Sequence, residues 1–258
     1  MTYCVDLSGK AAIVTGGSRG LGREIVLGLA RSGCDVVIAS RKLEACEALA
    51  TEVESLGRRA LPFATHVGHW EDLEDLTEAA YAAFGKIDIL VNNAGMSPIA
   101  PSTLETSEAL FDRVVGVNFK GPFRLSALVG SRMAAGDGGS IINISSIGAQ
   151  RPSPWIAPYA GAKAALNTIS LAFAQEYAPK VRVNVISPGG FLTDVSGAWA
   201  TEEEAHRTVA LSRWGDPKEI VPTVLYLASD ASSFTTGANI RVDGGAFWER
   251  RPEPAAAQ

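Results

Sequence analysis

Short runs of apolar, often β-branched residues alternate along this chain with longer segments in which apolar residues recur at helical spacing. The short runs predict strands at residues 11–14, 35–39, 60–63, 87–91, 140–144, 181–186 and 238–242. The longer segments predict helices at residues 21–31, 43–56, 70–84 and 107–133, the last running unbroken through Gly116 and Gly121. Such alternation is typical of βαβ units, so we expect an α/β domain built on a parallel sheet of about seven strands, with helices on both faces.

The length and composition are those of one globular domain. The chain has 258 residues, of which 47% are hydrophobic and 20% are charged. We therefore expect a single domain over residues 1–248. Residues 249–258 are rich in Pro, Ala and Arg, and we expect a flexible tail there unless a partner subunit holds it.

Charge and apolar content exclude several classes of protein. The net charge of −5 and the pI near 5.3 give no basic footprint for nucleic acid or an anionic membrane. No apolar stretch is long enough to span a bilayer, and the N-terminus lacks the apolar core of a signal peptide. Cys4, Cys34 and Cys46 have no metal-binding spacing. We expect reduced thiols in a cytoplasmic protein without a metal centre.

A glycine-rich turn separates the first predicted strand from its helix. The segment Thr15-Gly16-Gly17-Ser18-Arg19-Gly20-Leu21-Gly22 has the spacing Gly-x-x-x-Gly-x-Gly. Glycines let the backbone turn sharply and approach a pyrophosphate, and the helix N-terminus adds free N–H groups with positive partial charge. The turn therefore predicts a dinucleotide site in a doubly wound, Rossmann-type fold. The alternative is a plain strand-to-helix turn.

A second motif, Tyr159-x-x-x-Lys163, carries candidate proton chemistry. On a helix these two positions lie on one face, so both polar tips can reach one site. A phenol has a pKa of about 10, and a nearby ammonium lowers it toward neutrality. The pair therefore suits a reaction that moves a proton on or off an alcohol oxygen. Taken alone, the motif is better interpreted as an ordinary helix face, and the other matching segments of the chain reverse that judgement.

These motifs together resemble the short-chain dehydrogenase/reductase family, over residues 7 to about 247. Further segments match the family in order along the chain. They are Asn92-Asn93-Ala94-Gly95 after the fourth strand, Asn118, Ser146 thirteen residues before Tyr159, Pro188-Gly189-x-x-x-Thr193 after the sixth strand, and Val242-Asp243-Gly244-Gly245 at the last strand.

The resemblance implies a catalytic set of Asn118, Ser146, Tyr159 and Lys163. Tyr159 would exchange a proton with the substrate oxygen while hydride passes between a nicotinamide and the carbon. Ser146 would orient that oxygen, Lys163 would bind the nicotinamide ribose and lower the tyrosine pKa, and Asn118 would hold a water connecting Lys163 to solvent. The implied coenzyme-binding residues are Gly16, Ser18, Arg19, Gly20, Leu21, Gly22, Ser40, Arg41, His66, Val67, Asn93, Ala94, Gly95, Tyr159, Lys163, Pro188, Gly189 and Thr193.

The end of the second strand favours NADP(H) over NAD(H). NAD-binding sites place an acid about twenty residues past the glycines to accept the ribose 2′-hydroxyl. Here the strand ends at Ser40 and is followed by Arg41, which would attract a 2′-phosphate, as would Arg19. The alternative is that Arg41 and Lys42 are ordinary solvated charges at the start of a helix. Where many family members have an aspartate beside the adenine, this chain has His66.

The substrate pocket is predicted to be apolar, because its candidate walls carry few charges. These walls are Ser146, Ile147, Trp155, Tyr159 and Phe191, with Trp199 as a further candidate. The chain resembles both 3-oxoacyl-[acyl-carrier-protein] reductases and gluconate dehydrogenases. Arg124, Arg132 and Arg151 are few for docking an acidic carrier protein, which favours a free small-molecule ketone. A sugar-acid or polyol dehydrogenase and a non-catalytic NADP(H)-binding regulator stay as alternatives.

The resemblance also implies a homotetramer, with a dimer as the alternative. Small residues recur along the tyrosine helix and would allow close approach to a second copy. Trp248, just beyond the last strand, would belong to a second interface. The competing interpretation is a monomer whose small residues pack against its own sheet.

Overall fold

Seven parallel strands form one sheet in the order β3-β2-β1-β4-β5-β6-β7. The computed structural model describes residues 5–194, 196 and 201–247. The strands are β1 Ala11–Thr15, β2 Asp35–Ser40, β3 Ala60–Ala64, β4 Ile89–Asn92, β5 Gly139–Ile144, β6 Val181–Pro188 and β7 Asn239–Val242. This order confirms the predicted doubly wound sheet in a single domain.

Helices cover both faces of the sheet. Within the described ranges they are α1 Gly20–Arg31, α2 Leu43–Ser55, α3 Asp72–Phe84, α4 Glu108–Val115, α5 Gly121–Ala135, α6 Ala157–Glu176, α7 Glu202–Thr208 and α8 Val221–Ala228. Successive strand residues point to opposite faces. Ile13 accordingly packs in a cluster with α3, α5 and α6, whereas Val14 packs in another with α1, α2 and α8. Burial on both faces explains why the strands are continuously apolar.

The main departure from the predicted elements is the long helix at residues 107–133. The chain stays helical through both glycines, but Gly116–Lys120 form a π turn between α4 and α5. Strand β4 begins at Ile89 rather than at residue 87, and β6 extends to Pro188. Helices α7 and α8 were not predicted, because their short patterns lie in a segment without clear periodicity.

Some expectations concern residues outside the described ranges: the tail at 249–258, Trp199, Trp248 and Cys4. Cys34 and Cys46 are buried free thiols. No helix in the described part of the chain combines the length and apolar character needed to cross a membrane.

The strand order creates a crevice at the carboxyl ends of β1 and β4. The chain leaves β1 toward β2 and β3 on one side, and leaves β4 toward β5, β6 and β7 on the other. Loops that diverge in this way leave an opening between them, which is where ligands bind in open α/β sheets.

Gly121, at the start of α5, fixes how closely the π turn approaches the loop after β3. A Cβ built at Gly121 would overlap the Val67 carbonyl, so only glycine fits without movement of the backbone. A Cβ at Gly116 would meet nothing closer than 3.8 Å, although Gly116 begins the same π turn.

We predict that Gly121→Ala lowers the free energy of unfolding by about 1–3 kcal/mol, because the added methyl group forces the two backbones apart. The matched variant Gly116→Ala should be neutral, or more stable by up to about 1 kcal/mol, because alanine favours helix and the space is open. Urea unfolding of the two variants compares them. Equal effects at the two positions would contradict the close approach at Val67.

Candidate active site

The glycine turn forms a cradle whose shape depends on missing side chains. Gly16 and Gly20 have φ values of 62° and 54°, which L-residues with a side chain rarely adopt. A Cβ at Gly16 would lie 2.9 Å from Ala94 Cα, and one at Gly22 would overlap the Gly16 carbonyl. The first turn of α1 therefore sits directly on the ends of β1 and β4.

Thr15 and Asn93 brace this cradle with hydrogen bonds. The Asn93 Nδ2 donates to Thr15 O at 2.9 Å and to Gly16 O at 3.2 Å. The Thr15 Oγ1 accepts from the backbone N–H groups of Asn93 and Ala94 at 3.0 and 3.1 Å. Asn93 was predicted as a coenzyme-binding residue, and here it shapes the turn. Thr15 was not among the predicted site residues, although its position directly before the glycines could have indicated that it belongs to the site.

The N-terminus of α1 suits an anion. Arg19 occupies the N-cap position without a side-chain cap, and the first turn holds no acidic residue. The N–H groups there and their positive partial charge are thus available to a pyrophosphate. Gly20 faces Thr193, whose Cγ2 lies 3.5 Å from the position of an added Cβ, so the predicted residue after β6 borders the same space. The cradle and its electrostatics fit a dinucleotide.

The end of β2 carries no acid next to this turn. Ser18 Oγ donates to Ser40 Oγ at 2.9 Å, which joins the glycine turn to the strand end. Arg19 and Arg41 are both exposed on this side. Among the described residues, neither of these two predicted basic residues forms a salt bridge with a carboxylate.

Pro188, Gly189 and Thr193 form the opposite wall after β6. Pro188 is buried, and the Gly189 N–H donates to Val242 O at 3.0 Å. A Cβ at Gly189 would lie 2.8 Å from Asp243 Cα, so the glycine allows the two strand ends to meet. Thr193 is fixed by Ser196, whose Oγ accepts from Thr193 N at 2.9 Å and donates to Thr193 O at 2.7 Å.

Ser146 and Tyr159 border one point beyond β5. The Ser146 Oγ accepts from Gly148 N at 3.0 Å and caps the short 3-10 helix Ile147–Ala149. A Cβ built at Gly148 would lie 3.3 Å from Ser146 Oγ and 3.9 Å from Tyr159 Cε1. The Ser146 side chain also lies close enough to the Tyr159 phenol to hydrogen-bond it, which lowers the pKa of that phenol.

Lys163 lies one turn after Tyr159 on α6 and is 2% exposed. Its Nζ donates to Ile144 O at 2.7 Å and lies 5.9 Å from the centre of the Tyr159 ring. Ser145 Oγ donates to Lys163 O at 3.4 Å, which ties the end of β5 to the helix. The predicted helix face for Tyr159 and Lys163 is present.

The charge states differ from the expected lysine-activated phenolate. Burial raises the pKa of Tyr159, and only its interaction with Ser146 acts in the opposite direction. Burial lowers the pKa of Lys163 to about 7, so the ammonium is only partly present at neutral pH. In the chain alone, Lys163 is buried and Tyr159 is partly buried, and burial is the largest influence on both pKa values.

Asn118 lies in the π turn and is fully buried. Its Nδ2 donates to Met96 O at 2.8 Å and Val114 O at 2.9 Å. A Cβ at Gly95 would lie 3.1 Å from Asn118 Oδ1 and 3.8 Å from Lys163 Nζ, so the glycine opens onto both polar groups. The structure thus brings Asn118, Gly95 and Lys163 together.

A buried polar network behind the site was not predicted. Asn92 Nδ2 donates to Asn143 Oδ1 at 2.8 Å and to Ser126 Oγ at 2.9 Å. Asn143 Nδ2 donates in turn to Ser170 Oγ at 2.8 Å. The network joins β4 and β5 to α5 and α6, so it fixes the helix that carries Tyr159. The feature of the sequence that could have indicated this network is Asn143, a polar residue within an apolar strand.

The predicted substrate residues lie in different environments. Ile147 is half-buried beside Ser146, and Trp155 is 54% exposed, with its carbonyl accepting from Ala100 N at 3.0 Å. Phe191 is 6% exposed and packs in the apolar cluster, with its ring against the backbone of Gly215. Val67, from the coenzyme-binding prediction, presents its carbonyl to Gly121.

Among the residues described, no group of three or more His, Cys, Asp or Glu is arranged so that it could hold a metal ion. The fold and the cradle define an α/β protein of the dinucleotide-binding class. A family model described as short chain dehydrogenase matches residues 10–204. The chain therefore belongs to the short-chain dehydrogenases, a family of oxidoreductases that bind nicotinamide coenzymes.

Curated relatives cover nearly the whole chain. A short chain dehydrogenase/reductase of Aspergillus oryzae is 39% identical, covering 93% of this chain and 95% of its own length. A 2-dehydro-3-deoxy-D-gluconate 5-dehydrogenase of Pseudoalteromonas atlantica is 38% identical, with coverages of 93% and 96%. A 3-oxoacyl-[acyl-carrier-protein] reductase of Thermotoga maritima is 33% identical, with coverages of 93% and 98%.

Two similar solved structures contain different coenzymes. A 7α-hydroxysteroid dehydrogenase with NADH and 7-oxo glycochenodeoxycholic acid has a TM-score of 0.90 and 33% identity, covering 95% of this chain and 98% of its own. A blue fluorescent protein from a metagenomic library, in complex with NADPH, has a TM-score of 0.88 and 32% identity, with coverages of 93% and 99%.

We predict that Lys163→Met stabilises the coenzyme-free protein most at pH 7 and less as the pH rises. The folded pKa of Lys163 is about 7, whereas an unfolded lysine has a pKa of about 10.4. Between these values the unfolded chain binds a proton that the folded chain lacks, so the stability of the unmodified protein rises with pH. Methionine removes this dependence.

Urea unfolding of both proteins at pH 7 and pH 9 measures the difference. The Ile144 carbonyl loses its donor in the variant, but this loss is the same at both pH values and cancels in the comparison. A stability difference that is independent of pH would contradict a depressed lysine pKa.

Proposed function

We propose that this protein is an NADP(H)-dependent oxidoreductase that transfers hydride between the nicotinamide and a ketone or secondary alcohol. The observation that carries the proposal is the convergence of Ser146 and Tyr159 on one point, with buried Lys163 behind them. The bound coenzyme supplies the hydride donor or acceptor. Ser146 orients the substrate oxygen, and Tyr159 gives it a proton or takes one from it.

Lys163 and Asn118 are proposed to support that proton transfer. A pKa near 7 lets Lys163 hold or release a proton at neutral pH. Gly95 leaves space between Asn118 Oδ1 and Lys163 Nζ, and a water placed there would connect the lysine to solvent. The remaining coenzyme contacts are those predicted around the glycine turn, His66 and the segment from Pro188 to Thr193.

The preference for NADP(H) is supported by charge at the end of β2. Arg19 and Arg41 are exposed there, and the strand ends with Ser40, whose hydroxyl bonds to Ser18. A 2′-phosphate would gain charge-assisted hydrogen bonds from the arginines, and no carboxylate would repel it. The solved relatives leave both coenzymes open, since one contains NADH and another NADPH.

A free, largely apolar ketone is the proposed substrate class. Large apolar side chains are exposed in the segments that follow β4, β5 and β6, on the side of the sheet where Tyr159 lies. Exposed apolar side chains of this kind are typical of a binding groove; they are Ile99, Leu104, Trp155 and Leu192.

The arginines that would dock an acidic carrier protein are already engaged. Arg124 pairs with Glu74, Arg132 pairs with Glu78, and Arg151 donates to the carbonyls of Ala246 and Phe247 at 3.0 and 3.3 Å. Because these arginines are engaged, only a weak positive potential remains to attract an acidic carrier protein.

A sugar-acid or polyol substrate is the second candidate, favoured by the 38% identical gluconate-type relative. A non-catalytic regulator would bind NADPH without turning over any carbonyl compound.

Assembly through α4 and α6 is part of the proposal. A groove of about 690 Å³ runs between them and the π turn, lined mainly by apolar and small residues; they include Phe111, Val115, Phe119, Ala157, Gly161 and Ala165. We expect a second copy to cover it in a homotetramer, with a dimer as the alternative.

The cytoplasmic location stays a prediction from the sequence.

Light scattering at micromolar concentration tests the assembly. A mass near four times the 27.1 kDa chain is expected, because the groove and the second interface predicted near Trp248 give two axes of contact. A mass of twice the single chain would indicate a dimer, and the mass of a single chain would refute assembly.

We predict that Tyr159→Phe lowers turnover by about 10²–10⁴-fold while NADPH still binds, because only the proton donor is lost. The best substrate is first found by following NADPH absorbance with a panel of free ketones, 3-oxoacyl thioesters and oxidised sugar acids. The control is Tyr226→Phe, since Tyr226 hydrogen-bonds Thr235 away from the site. Near-normal turnover by the Tyr159 variant would show that another group supplies the proton. Activity on no member of the panel would favour the regulator.

We predict that Arg41→Asp shifts the ratio of catalytic efficiencies toward NADH by about 10–100-fold. A charge-assisted hydrogen bond contributes about 1.5–3 kcal/mol, and the new carboxylate can accept the ribose hydroxyl of NADH. The control is Arg31→Asp, an equal change of charge at the exposed end of α1. A greater efficiency with NADH in the unmodified protein would defeat the proposed preference.

A further inference from the structure

His66 lies beside Arg41, at the adjacent ends of β3 and β2. Thr65 N donates to Ser40 O at 2.9 Å, which aligns the two strand ends. The charge of Arg41 is close enough to contribute to the lowered pKa of His66, after burial and the neighbouring His69. The imidazole is half-buried, and Arg41 is exposed at the end of the neighbouring strand.

The ring of His66 is held in one orientation. Its Nδ1 accepts from Gly68 N at 3.2 Å, and its face stacks on His69 with ring centres 4.4 Å apart. His69 is fixed in turn by Asp72, whose Oδ2 lies 3.2 Å from the His69 Nδ1 and also accepts from His66 N at 3.4 Å. These contacts restrict both rotation and flipping of the imidazole.

This orientation makes Nε2 a hydrogen-bond donor. In a neutral imidazole, one nitrogen accepts and the other carries the proton. Because Nδ1 accepts from Gly68, the proton lies on Nε2, and a protonated ring would also carry one there. Among the hydrogen bonds of the described residues, none involves Nε2 of His66. The side chain therefore presents an unpaired donor in either charge state.

A bound dinucleotide would bring its purine base to this donor. Its pyrophosphate fits the cradle after β1, and its reacting end must lie near Tyr159, on the β5 side of the sheet. The adenosine half then extends the other way, over the ends of β2 and β3. Arg41 and His66 lie at those ends.

We propose that His66 donates a hydrogen bond to the group at position 6 of the purine base, so the site accepts a 6-oxopurine dinucleotide at least as well as the adenine form. The 6-amino group of adenine is itself a donor and cannot accept from Nε2, whereas hypoxanthine has a carbonyl oxygen at that position. A carboxylate at residue 66 would reverse the preference, because it accepts from the amino group and repels the carbonyl oxygen. The inference rests on the proposed coenzyme function and specifies which chemical group of the base is recognised.

Fluorescence titration with NADPH and with its hypoxanthine counterpart, deamino-NADPH, tests the inference. We expect the hypoxanthine form to bind as tightly as NADPH or up to about tenfold more tightly, the range of one hydrogen bond. In His66→Asp, the ratio should change by about tenfold or more in favour of adenine. Comparing the ratio cancels any general loss of affinity caused by the new charge near the 2′-phosphate.

His206→Asp, which places the same charge on α7 and away from β3, is the matched control and should leave the ratio unchanged. Measurably tighter binding of NADPH than of deamino-NADPH by the unmodified protein would overturn the inference and leave the proposed function intact. That measurement decides the matter even if the His66 variant fails to fold. If only NADH binds, the same comparison is made with deamino-NADH. Failure of all four dinucleotides to bind would overturn the proposed function and the inference with it.

Discussion

The close approach of α1 to the ends of β1 and β4 is the constraint on which the rest of the structure depends. A side chain at Gly22 would overlap the Gly16 carbonyl, and one at Gly16 would press on Ala94. With these glycines, the positive end of the α1 dipole opens directly at the crevice between the two halves of the sheet. Thr15 and Asn93 hold the strand ends together by pairing backbone groups that the sharp turn leaves without ladder partners.

A second constraint fixes α6, the helix that carries Tyr159 and Lys163, relative to that crevice. The hydrogen bonds among Asn92, Asn143 and Ser170 cross from the sheet to α6 within the core. Buried polar groups of this kind are costly when unpaired, so the network favours one position of the helix over sliding alternatives. Lys163 adds a further link, since its Nζ bonds to Ile144 O on β5. The position of Tyr159 thus follows from paired polar groups as well as apolar packing.

Patterns that depend on local spacing were predictable from the sequence. The strands, the sheet class and the Tyr159–Lys163 face follow from periodicity, and the structure bears them out. The π turn was not predictable, because its glycines lie within a continuous helical pattern, which does not indicate that one turn of the helix contains an extra residue. The turn also depends on Val67, which approaches Gly121 from a distant loop. The same limit applies to the pKa values of Tyr159 and Lys163. Spacing shows that they share a face, but burial, which no motif records, decides their charge.

That burial gives the site its electrostatic character. A lysine with an ordinary pKa would stay charged at pH 7 and could not exchange its proton readily, whereas a pKa of about 7 populates both forms. The raised pKa of Tyr159 keeps the phenol protonated, which suits donation to a carbonyl oxygen. In the oxidative direction, a positively charged nicotinamide beside the phenol would favour the phenolate. In the proposed reaction, Tyr159 and Lys163 would therefore form a preorganised pair whose protonation states respond to the charge of the bound coenzyme.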